Sequence, residues 1–131
     1  MSPRIPSVLL AAYSCVFTAC SHDFRLMRLE ERLGRYGDAL RWGQFLQLAE
    51  FKPQGASPLA APNPLDEVTI SSYTPLYRQE MADGRQLIQT VDIRYVKKTD
   101  LAEHRLIDQQ RWRYDDGTGT WMLDSDWPRF E

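Results

Sequence analysis

Residues 85–114 read RQLIQTVDIRYVKKTDLAEHRLIDQQRWRY, and the alternation in this stretch decides the fold. Successive side chains of an extended chain point to opposite faces, which puts Val91, Ile93 and Tyr95 on one face of a first strand. The same rule puts Leu106, Asp108, Gln110, Trp112 and Tyr114 on one face of the next. Lys98-Thr99-Asp100 between them has turn composition, and a short turn there brings the two sets to the same side. The opposite face then carries Thr90, Asp92 and Arg94 beside Arg105, Ile107, Gln109, Arg111 and Arg113. One apolar and one polar face mark an antiparallel sheet that is covered on one side only.

Working outward, the four predicted strands are Glu67–Arg78, Arg85–Lys97, Ala102–Tyr114 and Thr120–Asp124. Ala82-Asp83-Gly84 and Asp115-Asp116-Gly117-Thr118-Gly119 supply the other two turns, so consecutive hairpins predict a meander. Upstream, Gln54 to Pro64 holds Pro58, Pro62 and Pro64 among Gly, Ser and Ala, and reads as a loop. Before that loop, Leu26, Leu29, Leu33, Tyr36 and Leu40 recur at helical spacing, and Phe45, Leu48 and Ala49 carry the pattern on. Gly34 and Gly37 in its middle predict a kink, or two helices with Asp38 capping the second. The expected class is α+β, with an N-terminal helix or kinked helix pair packed on a curved four-stranded antiparallel meander sheet. One domain over residues 25–131 accommodates all of it.

Four stretches have a recognisable texture: Arg35-Tyr36-Gly37-Asp38-Ala39-Leu40-Arg41-Trp42-Gly43, Val91-Asp92-Ile93-Arg94-Tyr95, Gln110-Arg111-Trp112-Arg113-Tyr114, and Trp121-Met122-Leu123 with Pro128-Arg129-Phe130. Together they resemble small proteobacterial envelope lipoproteins of uncharacterised function that look like members of the NTF2-like, cystatin-related fold group. The resemblance covers most of residues 25–130 and rests on packing motifs. It implies a sheet curled around helices and, as often in that fold group, a sheet face used for association. Ketosteroid isomerase shares the broader fold, and its chemistry uses an Asp base facing a Tyr and a protonated Asp. Asp92, Asp108, Tyr73 and Tyr95 supply the residue types, but no catalytic motif maps onto them, so no catalytic residue is assigned.

The N-terminus carries a separate message. Arg4 gives a positive start, and Ile5 to Ala19 holds no charge while containing Val8, Leu9, Leu10, Val16 and Phe17, which is a signal-peptide core in length and texture. His22, Asp23 and Arg25 cut the run off short of the ~20 apolar residues that a membrane span needs. Phe17-Thr18-Ala19-Cys20 resembles the bacterial lipobox, with Phe where the pattern prefers Leu. That resemblance implies cleavage after Ala19, a diacylglycerol thioether on Cys20 and, with Ser21 following it, sorting to the periplasmic face of the outer membrane. Residues 20–24 then form the lipidated N-terminus and a short tether. Cys15 leaves with the signal and Cys20 is consumed by lipid, so the domain is free of disulfides although it lies in an oxidising compartment.

Bulk composition narrows the function classes. Charged residues make up 26% and apolar ones 43% of 131 residues, which is ordinary for a globular domain. Removing the signal takes Arg4 alone among the charges, leaving a slightly acidic chain with no electrostatic reason to bind nucleic acid. His22 and His104 lack companions at ligand spacing, so no metal site and no cofactor is expected. Asp116-Gly117-Thr118-Gly119 sits in a hairpin turn and not before a helix, so it is no phosphate loop.

Candidate ligand contacts are Tyr95, Asp108, Gln110 and Trp112, polar and aromatic groups on the covered face; the bland alternatives are a register shifted by one residue, or a structural hydrogen-bond network with a tyrosine or the helix backbone. Arg94, Arg111 and Arg113 on the opposite face are candidate interface residues, for another envelope protein or for self-association. Trp42, Trp112, Trp121 and Trp127 are expected in the core and at its rim, with Trp127 the exposed one. The expected function is a lipid-anchored module for protein interaction or assembly. The alternatives are a carrier of a small apolar ligand between helix and sheet and, behind it, an isomerase-like enzyme.

Overall fold

The computed structural model describes residues 8–53 and 64–131, with 8–21 described at the level of the backbone. The start of the expected signal, before Val8, and most of the expected proline loop lie outside those residues. Helix α1 spans Val8–Arg41, and a single turn, α2, spans Phe45–Leu48. Short 3-10 turns follow at Ala49–Phe51 and Pro64–Glu67. The strands are β1 Val68–Met81, β2 Gln86–Lys97, β3 Glu103–Asp115 and β4 Thr120–Leu123. They pair antiparallel in the order β1-β2-β3-β4, as a meander. The α+β class and the packing of an N-terminal helix on a four-stranded antiparallel sheet are thus as the alternation predicts.

The helix departs from expectation at its glycines. α1 runs unbroken through Gly34 and Gly37, and Asp38 lies exposed within it and not at a cap. The break comes at Gly43, which has φ +64°. Its N–H donates to the Leu40 carbonyl at 3.2 Å and the Gln44 N–H to the Ala39 carbonyl at 2.8 Å, the paired bonds of a Schellman cap. Gly37 has a different use, because a Cβ there would stand 2.8 Å from the Tyr73 ring. It lets α1 approach β1. A Cβ on Gly34 would meet nothing within 4 Å. Alanine should therefore act oppositely at the two sites. Gly34→Ala should gain up to about 1 kcal/mol from helix propensity, while Gly37→Ala should lose about 1 kcal/mol net, since overpacking costs about 1–3. Urea titration of the two variants checks the contrast.

Leu29, Leu33, Tyr36, Ala39 and Leu40 form the buried stripe of α1. They meet Leu87, Val91, Ile93, Tyr95 and Trp112 from the inner face of the sheet, with Leu48 and Phe51 closing one side. Tyr36, Phe51 and Trp112 make a triangle of edge contacts at centroid distances of 5.2 to 6.2 Å. The helix is also tied to β4, with the Trp121 indole N–H donating to the Arg25 carbonyl at 3.0 Å and Arg32 Nε to the Trp121 carbonyl at 3.0 Å.

Beyond β4 the chain stays attached. The Asp124 N–H donates to the Arg111 carbonyl at 2.7 Å, and Trp127 and Phe130 pack on the core. Trp127 is therefore half-buried, and the exposed tryptophan is Trp42 at 69%. It stands two positions past Leu40 and so turns away from the buried stripe. Positions 20–24 are helical backbone within α1. Among the described residues no helix is long and apolar enough to cross a membrane.

Candidate functional site

The register of β2 against β3 sets Gln89 opposite Gln110 and Val91 opposite Asp108 on the covered face. Gln89 and Gln110 are each 1% exposed and Asp108 8%, three polar groups inside an apolar layer. Burying them is costly unless each finds a partner. Trp112 Nε1 donates to Gln110 Oε1 at 3.1 Å, and Gln110 Nε2 donates to the Tyr73 hydroxyl at 2.9 Å and to Asp108 Oδ2 at 3.1 Å. Gln89 Nε2 donates to Gln110 Oε1 at 3.3 Å, and Gln89 Oε1 accepts from Arg78 Nε at 2.8 Å. Arg78 is paired in turn with Glu30 on α1.

Both amide orientations follow from the ends of this chain. An indole N–H and a guanidinium can only donate, so Trp112 fixes Gln110 Oε1 and Arg78 fixes Gln89 Oε1. Gln110 must then present its NH2 to Tyr73 and Asp108, and Gln89 must donate to Gln110. The network thus runs from a surface ion pair on α1 and β1 to the centre of the sheet with one consistent polarity.

Burial pushes the Tyr73 hydroxyl up to about 12, opposed by the hydrogen bond from Gln110 and reinforced by Asp108. Tyr36 is also raised, first by burial, then by the Asp108 carboxylate and Tyr73, and its hydroxyl has no hydrogen-bond partner among the described residues. Asp108 is raised by burial, with the Gln110 bond working against the shift. The folded chain therefore holds the Asp108 proton more tightly than the unfolded chain does, and folding loses stability as pH rises from the ordinary carboxylate value through the raised one. Asp108→Asn removes that loss. The variant should be more stable than the parent at pH 7, with the gap closing below pH 3.8, the ordinary value. Urea midpoints across pH 3–8 check it, and a gap that widens in acid would show a carboxylate held in its charged form.

A cleft of about 220 Å³ lies above the network, between α1 and β1. Gln89, Tyr73 and Arg78 line it together with Glu30, Asp38 and Arg41, and the bare positions Gly34 and Gly37 form its helix side. Asp108, Gln110 and Trp112 do not line it.

The four predicted ligand contacts are thus divided. Asp108, Gln110 and Trp112 come together in one hydrogen-bonded cluster that includes a tyrosine, whereas Tyr95 lies apart towards the β2–β3 turn. Tyr95 donates its hydroxyl to the Glu131 carbonyl at 2.9 Å and packs against Phe130 and His104. Asp92 is on the opposite face, gripped by Arg105 at 3.0 to 3.1 Å. Gln89 and Arg78 were not among the predicted residues. Gln89 has a signal, since it precedes Val91 by two and shares its face. Arg78 has none, because bulges between Ile70 and Ser72 and between Pro75 and Tyr77 shift the alternation of β1 twice.

Arg94 and Arg111 stand exposed on the outer face with no carboxylate at salt-bridge distance among the described residues, and Arg113 is 3.9 Å from Asp124. Ile107 and Tyr77 are exposed on the same face. His104 is bonded to Asp100 at 2.7 Å, and His22 lies against Gly84 at the other end of β2. No group of three His, Cys, Asp or Glu side chains gathers among the described residues. No family model matches the chain, and no curated protein or solved structure is significantly similar to it.

Proposed function

We propose that the chain is an envelope lipoprotein, anchored through lipid on Cys20, whose single domain serves protein interaction or assembly through the outer face of its sheet. The observation that carries this reading is the filled interior. Tyr36, Phe51 and Trp112 pack edge to face at its centre, and Phe130 with the chain end covers Tyr95. Gln89, Asp108, Gln110, Trp112 and Tyr73 spend their polar groups within one network, and the Tyr36 hydroxyl beside it is enclosed without a partner among the described residues. The outer face instead offers Arg94 and Arg111 beside exposed Ile107 and Tyr77, a mixture of cationic and large apolar groups that is common in interfaces. An NTF2-like assignment of the fold belongs to the same proposal, supported by the helix-on-meander arrangement and the packing motifs.

A photo-crosslinking residue in place of Ile107 in the full chain, activated in intact cells, tests the docking face. The expected result is one discrete adduct, either a second copy or a single envelope protein, that disappears with Arg94→Glu and Arg111→Glu together. Absence of any adduct from a folded, membrane-associated chain would contradict the reading.

The cleft beside Tyr73 and Gln89 favours a second reading, binding of a small ligand. At about 220 Å³ it is below the ~300–1,000 Å³ usual for ligand sites. Its charged and amide lining suits a polar molecule, whereas the apolar one expected from sequence finds Leu40, Trp42, Val68 and Ile70 in a separate cleft of about 400 Å³ between the end of α1 and β1.

A further inference from the structure

Three features of α1 bear on how an anchored domain would lie. Its buried residues, Leu29, Leu33, Tyr36 and Leu40, occupy one stripe. The backbone position of Cys20 lies in the same unbroken helix, with Phe24 and Met27 four and seven positions further on. At 3.6 residues per turn those three positions share a stripe opposite the buried one. Phe24 is 52% and Met27 70% exposed, so the stripe that carries the anchoring position turns large apolar side chains outward. Trp42 falls on the same stripe about six turns along, its N–H still bonded to the Asp38 carbonyl at 2.9 Å, and it is 69% exposed.

We infer that the outward stripe of α1 seats in the interfacial layer of the bilayer, with Phe24, Met27 and Trp42 as its contacts; this rests on the reading of Cys20 as the lipid-bearing residue. Where the cleaved chain keeps positions 20–24 helical, as they are in the uncleaved chain that the structure describes, little slack separates the acyl chains from the domain. The lipid therefore determines which side of the domain faces the membrane. An amphipathic helix lying in the interface buries its apolar side chains about 5–10 Å deep, and indole rings settle at the headgroup level. Arg28, stacked over Phe24 at 4.7 Å, and Arg35 and Arg41 can extend to phosphates from beside the stripe. Asp23 and Glu30 flank the stripe and Glu31 and Asp38 lie exposed on it between Met27 and Trp42, so the apolar contacts are made at its two ends and net charge does not drive them. Because α1 covers the inner face of the sheet, this seating turns the outer face away from the bilayer and towards partners.

The test uses the full chain, lipidated in a Gram-negative host, purified from membranes and reconstituted into phosphatidylethanolamine and phosphatidylglycerol vesicles with brominated acyl chains. The difference in tryptophan emission between the parent and Trp42→Phe reports on Trp42. Phe24→Trp and Ile107→Trp, each made in the Trp42→Phe background, report on the helix and on the outer sheet face. The expected result is loss of more than half the emission from Trp42 and from Phe24→Trp, with Ile107→Trp unquenched and all three insensitive to salt. Unquenched emission at Trp42 and Phe24→Trp would overturn the seating if the chain floats with the vesicles and its Cys20 peptide has the mass of the diacylglycerol adduct. A Cys20 peptide without that mass would instead overturn the anchor, and the seating with it.

Discussion

Trp112→Ala should remove about 3–5 kcal/mol of folding stability, against a total of about 5–15 for a domain of this kind. The indole is fully buried between Tyr36 and Phe51, so truncation opens a cavity at the point where helix, 3-10 turn and sheet meet. It also removes a donor to Gln110 Oε1. The urea midpoint should fall by a third or more, and the near-ultraviolet dichroism of the packed aromatic triangle should collapse. Trp112→Phe separates the two contributions. It keeps most of the ring volume and leaves Gln110 Oε1 with the Gln89 donor, so the loss should be nearer 1 kcal/mol.

The second large effect is expected at Gln110, whose amide makes four hydrogen bonds. Gln110→Leu keeps the volume but strands the Trp112 N–H and the Gln89 amide without their acceptor, and Asp108 and Tyr73 without their donor. A buried polar group left unsatisfied costs about 1–3 kcal/mol, and partial relaxation keeps four such losses well short of additive, so about 3 kcal/mol is expected. Gln110→Glu discriminates further. Its carboxylate can accept from Trp112 and Gln89 but faces Asp108, so this variant should gain stability as pH falls and the pair takes up a proton. Adding Asp108→Asn to Gln110→Glu should recover part of the loss at pH 7, a coupling that equilibrium denaturation of the double-mutant cycle measures directly.

The central part of this network was legible in the sequence and its periphery was not. Leu106, Asp108, Gln110 and Trp112 alternate without interruption, so their shared inward face follows from the sequence, with a hydrogen-bond network to a tyrosine or the helix backbone standing as an alternative to ligand contact. Gln89 obeyed the same parity. Arg78 and Glu30 were hidden for different reasons: two bulges in β1 shift its alternation, so simple counting along the strand does not give the inward place of Arg78, and a helix–strand ion pair has no local spacing. The glycines show the limit of composition. Gly34, Gly37 and Gly43 look alike in the sequence, yet one faces open space, one admits the Tyr73 ring and one ends the helix with a left-handed backbone. Trp42 and Trp127 exchanged their expected places because helical phase fixes the first, while the second packs through a tail with no regular repeat.

Lipid on Cys20 is the claim on which location, partners and membrane seating all depend, and the intact mass of the native protein extracted from membranes tests it most directly. The account predicts a chain that begins at Cys20 and carries diacylglycerol, with Cys20→Ser leaving an uncleaved, unacylated precursor. A native chain that retains residues 1–19 or has an unmodified Cys20 would contradict it.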